Sequence, residues 1–209
     1  IKGYVSMLLD ESFGQITPEQ KEAISRVSSS TEHLTKVVED LLNVTKIEQG
    51  GLVFNFKQFS ITKLASDVCR EYEINFQKRG LSIKCDVPTT EIFVFGDEEK
   101  IRQVITNFVD NSNKYTESGG VVVSVVDKGE DLVLFEIKDT GIGLVAEEVG
   151  SVFQKFQRGA GAKLDSGGSG RGSYLASKII EGHHSKDTAF SEGKGKRSKF
   201  TFTLSKKPF

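Results

Sequence analysis

The sequence lacks the features that would mark it for a membrane, for secretion or for nucleic acid. No apolar run approaches the ~20 residues of a membrane-spanning helix, and no signal peptide is present. The two cysteines, Cys69 and Cys85, have the spacing neither of metal ligands nor of a disulfide framework, which fits a reducing cytosol. Acidic and basic residues nearly cancel, to a net charge of -1, and both signs are spread through the chain. We therefore expect a cytoplasmic protein that does not bind nucleic acid.

An initiator methionine is also lacking. The chain begins at Ile1, in the middle of an apolar pattern in which Ile1, Val5 and Leu8 share one helical face. We therefore expect a fragment of a longer protein, with any membrane attachment coming only through segments upstream. The 209 residues suffice for one large or two small domains.

The first part of the chain has the pattern of two helices separated near Gly14. Thr17 has the features of an N-cap, with Pro18 at the first helical position and Gln20 completing a capping box. The second helix carries a heptad seam, in which the spacing alternates between three and four: Ile24, Val27, Thr31, Leu34, Val38, Leu41 and Thr45. The pattern ends at Gly50-Gly51.

A seam of this length needs a partner. The two helices predict an antiparallel hairpin, and two hairpins would form a four-helix bundle. We expect a homodimer through the helices of residues 1–48, because no other helices in the chain would cover the seam. The alternative is a hairpin that packs on its own domain.

After Gly50 the pattern changes to short strands and helices. Alternating or β-rich runs predict strands at 53–56, 81–87, 92–95, 121–126, 132–138 and 199–204. Helices are predicted from Ser60, a candidate N-cap, to about Arg79, over 101–116, and over 173–180. The fold class is therefore α+β: a helical hairpin over residues 1–50, then a two-layer α/β sandwich over residues 51–209.

The helix over 101–116 has two distinct faces. Its apolar face recurs at helical spacing, whereas Asn107, Asn111 and Lys114, spaced by four and three, share another face. Amide oxygens are suitable ligands for Mg²⁺ and an ammonium pairs with phosphate, so this face fits a metal-bound phosphate chain. The alternative is an ordinary solvated polar face.

A carboxylate and two glycines follow directly on a predicted strand, as Asp139-Thr140-Gly141-Ile142-Gly143. Glycines let a flat base approach the backbone, and the carboxylate can accept a hydrogen bond from an exocyclic amine such as adenine N6. Asp and Gly are also ordinary turn residues, so D-x-G-x-G alone is a weak signal.

A Gly/Ser-rich segment, residues 159–172, ends in Gly168-Ser169-Gly170-Arg171-Gly172 and leads into a helix. Such glycines let backbone N–H groups turn towards an anion, and a helix N-terminus favours phosphate. The alternative is a mobile surface loop. The segment matches neither the dinucleotide fingerprint nor the P-loop, since no strand leads into it and no Gly-Lys-Ser/Thr is present.

Taken in order, these motifs resemble the Bergerat ATP-binding fold and, more narrowly, the catalytic domain of bacterial sensor histidine kinases. Asn107 to Lys114 resembles the family's N box, and Asp139 to Gly143 its G1 box. Phe153 to Phe156 resembles the F box, and Gly168 to Gly172 the G2 box. The preceding hairpin resembles the family's dimerisation and phosphotransfer domain.

The resemblance implies Mg²⁺ and ATP as cofactors and gives each motif a role. Asn107 and Asn111 would hold Mg²⁺, while Lys114 and Arg158 would neutralise phosphate charge. Tyr115 would lie against the adenine and Asp139 would bind its N6. The glycines would shape the base pocket and cradle the phosphates: Gly141, Gly143, Gly168, Gly170 and Gly172. The reaction implied is transfer of the ATP γ-phosphate to a histidine, for relay to a response-regulator receiver domain.

Two alternatives remain open at this point. One is a degenerate, non-catalytic dimeric interaction module of the same fold. The other is an ATPase of the same superfamily, of the gyrase type, which places a Glu at the start of the N box to activate water. Asn107 stands at that position here and cannot act as a base.

Several positions depart from the family. The family's phosphoacceptor histidine is missing, since in the family it precedes the point where this chain begins. His33 is interpreted as a solvated helix residue, and His183-His184 as the end of the last helix without a metal. Polar residues replace the family's usual apolar ones at four positions, which predicts a loosened nucleotide site: Arg171, Ser173, Asp187 and Thr188.

Overall fold

The computed structural model describes residues 1–48, 51–154 and 171–208. The chain divides into two compact units, Ile1–Gly51 and Leu52–Phe209. Within the described residues, no helix combines the length and the apolar character that crossing a membrane requires.

The first unit is a helical hairpin of α1 (Lys2–Leu9) and α2 (Pro18–Glu48), which pack against each other. The predicted capping box is present at the start of α2. The Thr17 N–H donates to Gln20 Oε1 at 2.8 Å, and the Gln20 N–H donates to Thr17 Oγ1 at 3.3 Å. Two of the helix's unpaired N–H groups are thereby satisfied.

The apolar seam of α2 is largely uncovered within one chain. Leu34 is 60% exposed, and Val27 and Val38 are also exposed. The side chain of Leu41 lies outside those described. An exposed stripe of this kind has the character of a contact surface, so the homodimer remains a prediction.

The second unit contains eleven elements in its described residues. These are β1 (Lys57–Ser60), α3 (Ile61–Gln77), β2 (Ser82–Asp86), β3 (Phe93–Gly96), α4 (Glu98–Tyr115), β4 (Gly120–Asp127), β5 (Leu132–Asp139), α5 (Ala146–Val149), α6 (Arg171–Gly182), β6 (Asp187–Ser191) and β7 (Ser198–Ser205). Five strands form a sheet in the order β2-β4-β5-β7-β6, and β1 pairs separately with β3. Only the β2–β4 pair of the described strands is parallel.

Helices α3, α4 and α6 form a layer over this sheet, which confirms the two-layer sandwich. The apolar face predicted for α4 is fully buried: Ile101, Val104, Ile105, Phe108 and Val109. Phe108 lies among Phe153, Phe200 and Phe202, with ring centroids 5.6–6.3 Å away. Burying a side chain of this size contributes ~1.5–3 kcal/mol, so this cluster fixes the polar face of α4 in position.

Two elements differ from the sequence-based expectation. Residues 53–56 form no strand, and the pairing begins at Lys57, which lies opposite Gly96. The rings of Phe54 and Phe56 pack instead on His183, each with centroids 5.2 Å apart. Strand β6 was not predicted, because its polar residues hide the alternation that an edge strand with one covered face would show. The Ser60 cap is confirmed, since its Oγ accepts from the Lys63 N–H at 3.3 Å.

Candidate functional site

The polar face of α4 meets the first turn of α6. The Asn111 Nδ2 group donates to Asn107 Oδ1 at 3.2 Å and to Ser173 Oγ at 3.3 Å. All three side chains are half-buried. The structure therefore brings both N-box asparagines together with the helix that follows the Gly-rich segment.

Gly172 is what allows the two helices to approach so closely at this point. A Cβ atom added at Gly172 would overlap the side-chain nitrogen of Asn107. A larger residue would displace the Asn107 amide or the first turn of α6. Of the three G2-box glycines, Gly172 is described, while Gly168 and Gly170 lie outside the described residues, as does Arg158.

The C-terminal turn of α4 carries Lys114, the last N-box residue, and Tyr115 beside it. The Lys114 ammonium lies 5.2 Å from the centre of the Tyr115 ring. Arg79 caps this turn: its guanidinium donates to the Asn113 carbonyl, to Asn113 Oδ1 at 3.1 Å and to the Thr116 carbonyl at 3.2 Å. A cation at a helix C-terminus complements the helix dipole. The turn that carries Lys114 and Tyr115 is thereby held in place.

Asp139, at the end of β5, is a buried carboxylate that is 4% exposed. Its Oδ1 accepts from the Gly141 N–H at 2.9 Å. Burial raises the pKa of the Asp139 carboxyl, while hydrogen bonds from Gly141 and Ser198 act in the opposite direction. A buried carboxylate of this kind forms strong hydrogen bonds with an N–H donor placed beside it.

The turn after Asp139 is fastened to the end of α4. The Ile142 N–H donates to the Tyr115 carbonyl at 3.1 Å. A Cβ at Gly141 would lie 2.5 Å from that carbonyl oxygen and 2.8 Å from Asp139 Oδ1, so only glycine fits. Gly143 has φ 70° and passes too close to the Gly193 carbonyl for a side chain. The D-x-G-x-G turn and the N-box helix therefore form one structural unit.

His183 has a structural role that sequence reasoning missed. It is 1% exposed, its Nδ1 donates to the Ile179 carbonyl at 2.7 Å, and its Nε2 accepts from the Asp97 N–H at 2.9 Å. These bonds define the neutral tautomer, and burial lowers the pKa of the ring. Within the described chain, no cluster of His, Cys, Asp and Glu is arranged to bind a metal. The clue was the apolar spacing of α6, which places position 183 on its buried face.

Three of the four polar departures have hydrogen-bond partners, although Asp187 Oδ2 is buried without one in the described structure. Ser177 Oγ donates to Asp187 Oδ1 at 3.2 Å, and the Thr188 and Thr201 hydroxyls lie 2.6 Å apart. Burial raises the pKa of the Asp187 carboxyl. Ser173 is half-buried and bonded to Asn111, so its site is not a core cavity. The side chain of Arg171 lies outside those described.

The residues present suit a nucleotide with a divalent cation. Two amide side chains converge on one face, and amide oxygens are ligands that Mg²⁺ accepts. Gly172 brings the first turn of α6, the helix that follows the Gly-rich segment, against the Asn107 amide. The buried carboxylate of Asp139 begins the D-x-G-x-G turn, which is bonded to the C-terminal end of α4.

Two family descriptions match the chain. Residues 96–208 match "Histidine kinase-, DNA gyrase B-, and HSP90-like ATPase", and residues 1–50 match "His Kinase A (phospho-acceptor) domain". The first match covers α4, the D-x-G-x-G turn and α6, and the second covers the helical hairpin.

Proteins related to this chain in sequence are named histidine kinases. The chain is 31% identical over 184 residues to the circadian input-output histidine kinase CikA of Synechococcus elongatus, covering 87% of this chain and 24% of that protein. It is 32% identical over 180 residues to the sensor histidine kinase WalK of Bacillus subtilis, covering 84% of this chain and 29% of that protein. The chain thus spans about a quarter of the length of these relatives.

Solved structures show the same fold. Full-length ShkA in complex with AMPPNP superposes with a TM-score of 0.80 at 22% identity, covering 100% of this chain and 44% of that one. The Acinetobacter baumannii histidine kinase AdeS superposes with a TM-score of 0.72 at 21% identity, covering 99% of this chain and 93% of that one.

Proposed function

Because this chain belongs to the histidine kinase-, DNA gyrase B- and HSP90-like ATPases and, within them, to the sensor histidine kinases, we propose that it is the kinase core of a two-component sensor. In this proposal it binds Mg²⁺ and ATP and transfers the γ-phosphate to a histidine. The phosphoryl group then passes to an aspartate of a response-regulator receiver domain. The hairpin of residues 1–48 forms the homodimer.

The observation that carries the proposal is the junction of three motifs. Asn111 bonds to Asn107 and to the first turn of α6, and the end of the same helix holds the Asp139 turn through Tyr115. Positions that are far apart in sequence are thereby joined through α4. A phosphate chain, its metal and a base require this order of groups.

The resemblance to the sensor histidine kinases gives each residue a role that its chemistry suits. Asn107 and Asn111 would hold Mg²⁺ through their amide oxygens. Bound Mg²⁺ supplies charge neutralisation at the phosphates. Lys114 and Arg158 add positive charge, and Tyr115 lies against the base. Asp139 accepts from the adenine amine, and Gly141 and Gly143 shape the base pocket. Gly168, Gly170 and Gly172 offer backbone N–H groups to the phosphates.

The chain's contribution to transfer is mainly positioning. Phosphoryl transfer needs little covalent chemistry from the protein, so holding the γ-phosphate in line with the acceptor supplies most of the rate. A gyrase-type ATPase is not favoured, because Asn107 replaces the Glu that would activate water. The match of residues 1–50 to a phospho-acceptor domain also favours a kinase.

Transfer to a separate substrate tests this proposal. We would incubate the chain with γ-labelled ATP, Mg²⁺ and a helical-hairpin polypeptide that carries an acceptor histidine. We expect acid-labile, base-stable label on the hairpin and none on the chain itself. Asn111→Asp should abolish transfer, because it changes the charge and ligand set at the metal.

The matched control is Asn113→Asp, the same change on the same helix. Asn113 faces Arg79 rather than α6, so this variant should keep transfer. No label on a hairpin that another histidine kinase does phosphorylate would overturn the proposal. Acid-labile, base-stable label on the chain itself would contradict only the expectation that the chain cannot phosphorylate itself. Equal transfer by Asn111→Asp would remove the metal assignment.

A further inference from the structure

We propose that Ser173 is a positioning residue for Asn111: its hydroxyl fixes the orientation of the Asn111 amide and thereby presents the amide oxygen to Mg²⁺. The inference rests on the proposed function, since it concerns the same metal-nucleotide site. It assigns a role to a residue that breaks the apolar pattern of the family at this position.

The hydrogen-bond inventory of the amide carries the argument. A side-chain amide has two N–H donors on one nitrogen, and here one is used by Asn107 Oδ1 at 3.2 Å and the other by Ser173 Oγ at 3.3 Å. With both donors engaged, Asn111 Oδ1 lies on the opposite edge of the amide plane. That oxygen is the atom of the side chain that a hard cation would bind.

The alternative orientation of the amide is disfavoured by the same contacts. Rotating it by half a turn would put Asn111 Oδ1 against Asn107 Oδ1, so that two acceptors face each other. The Ser173 hydroxyl could then donate to Asn111 Oδ1, so the Asn107 contact selects the orientation, and the bond to Ser173 holds the amide plane in it and leaves Oδ1 free of the hydroxyl. An apolar residue at 173 would leave a single bond to hold the orientation.

The local structure keeps Ser173 in reach. Gly172 lets the first turn of α6 lie against Asn107, since a Cβ there would overlap the Asn107 amide. Leu175, Ala176 and Ile179 of α6 are buried beneath. Ser173 is therefore held on a packed helix next to Asn111, and its effect on the metal ligand depends on its hydroxyl.

The test separates metal binding from general stability. We would titrate the chain with AMP-PNP, a non-hydrolysable ATP analogue, once with Mg²⁺ and once with a chelator. The ratio of the two dissociation constants measures how much the metal strengthens binding. Ser173→Ala should reduce this ratio by about three- to tenfold, as expected for the loss of one hydrogen bond. The metal-free dissociation constant should change by less than about twofold.

Three further variants sharpen the result. Ser173→Thr keeps the hydroxyl and should restore the ratio, whereas Ser173→Leu should behave like Ser173→Ala. Ser177→Ala is the matched control on the same helix, because its hydroxyl bonds to Asp187 and not to an asparagine. It should leave the ratio unchanged.

A second readout does not depend on nucleotide at all. In the chain without ligand, the Asn111 side-chain amide protons should exchange with solvent faster in Ser173→Ala than in the wild type, as measured by NMR. The Asn113 amide, which faces Arg79, serves as an internal reference.

Two outcomes would overturn the inference while leaving the proposed function intact. In the first, Ser173→Ala leaves the ratio of the two dissociation constants unchanged. In the second, Ser173→Ala weakens AMP-PNP binding equally with and without Mg²⁺, which would mean that Ser173 only packs against its neighbours. If instead the wild type fails to bind AMP-PNP, or binds it equally well without metal, the proposed function itself fails.

Discussion

The Nε2 atom of His183 accepts a hydrogen bond from the backbone N–H of Asp97 at 2.9 Å, and this bond joins the end of α6 to the start of α4. Asp97 is the N-cap of α4: its carboxylate accepts from the Lys100 N–H at 3.1 Å and from the Asn55 N–H at 2.9 Å. Because α4 carries Asn107 and Asn111, this buried junction holds the helix of the proposed nucleotide site.

The junction should make stability depend on pH. Burial is the main cause that lowers the pKa of His183, and nearby His184 acts in the same direction; the Ile179 carbonyl and Asp97 act oppositely. At His183 the folded state therefore binds fewer protons than the unfolded state below pH ~6.5, so the stability contributed by this residue is present above that value and is lost as the pH falls through the folded pKa. Urea unfolding between pH 8 and 5.5 should show this loss.

The variant His183→Gln isolates the effect, since Gln can keep a donor and an acceptor but does not titrate. It should be less stable at pH 8 and should lose the slope below pH 6.5. His184→Gln is the control and should keep the slope. An unchanged slope in His183→Gln would contradict the neutral, buried assignment.

Gly141→Ala should damage both the fold and the site. Its Cβ would lie 2.5 Å from the Tyr115 carbonyl, so the turn or the end of α4 must move. Overpacking of this kind costs ~1–3 kcal/mol, measurable as a lower urea midpoint, and AMP-PNP binding should weaken as well. Gly150→Ala is the matched control, since nothing lies within 4 Å of its added Cβ and its φ is not positive. Equal midpoints for the two variants would count against the close approach.

Asp139→Asn should separate stability from binding. Burial raises the pKa of Asp139, so the charged carboxylate costs stability as the pH rises through its folded pKa, and a neutral isostere removes that cost at pH 7. Asn keeps one acceptor for the Gly141 N–H but loses one for Ser198, so thermal unfolding at pH 7 should show a smaller loss of stability than in Asp139→Ala. Adenine nucleotide binding should weaken about tenfold or more, because an acceptor for the base amine is replaced. Unchanged affinity would remove Asp139 from the base site.

Leu34→Glu tests the dimer. Leu34 is apolar, 60% exposed and on the predicted seam of α2. A charge there should weaken self-association by about tenfold or more, as expected for a residue central to an interface. Sedimentation equilibrium measures the effect, with Ser29→Glu on the exposed face off the seam as control. A monomeric wild type at high concentration would refute the prediction.

Local patterns in the sequence predicted local structure well. The caps at Thr17 and Ser60 need only neighbouring residues, and the buried face of α4 follows from helical spacing, so all three appear as expected. Strand β6 was not predicted, because a polar edge strand is defined by its pairing with β7 rather than by the pattern of its own residues.

Features that depend on distant contacts could not be predicted from the pattern. Ser173 and Asn111 are 62 residues apart, and their bond turns an expected weak point into a contact of the site. His183 is buried by Phe54 and Phe56, which the sequence placed in a strand. The hydrogen bond between Tyr115 and Ile142 joins two motifs, and the sequence pattern of each motif did not predict that the two lie side by side.

The central claim is that the polar face of α4, the Asp139 turn and the first turn of α6 form one site for Mg²⁺ and ATP. Calorimetric titration of the chain with AMP-PNP in the presence of Mg²⁺ tests it most directly. We predict one nucleotide bound per chain, with weaker binding when Mg²⁺ is chelated and weaker binding of the guanine analogue. Absence of binding, or equal affinity for the adenine and guanine analogues with and without Mg²⁺, would contradict the claim.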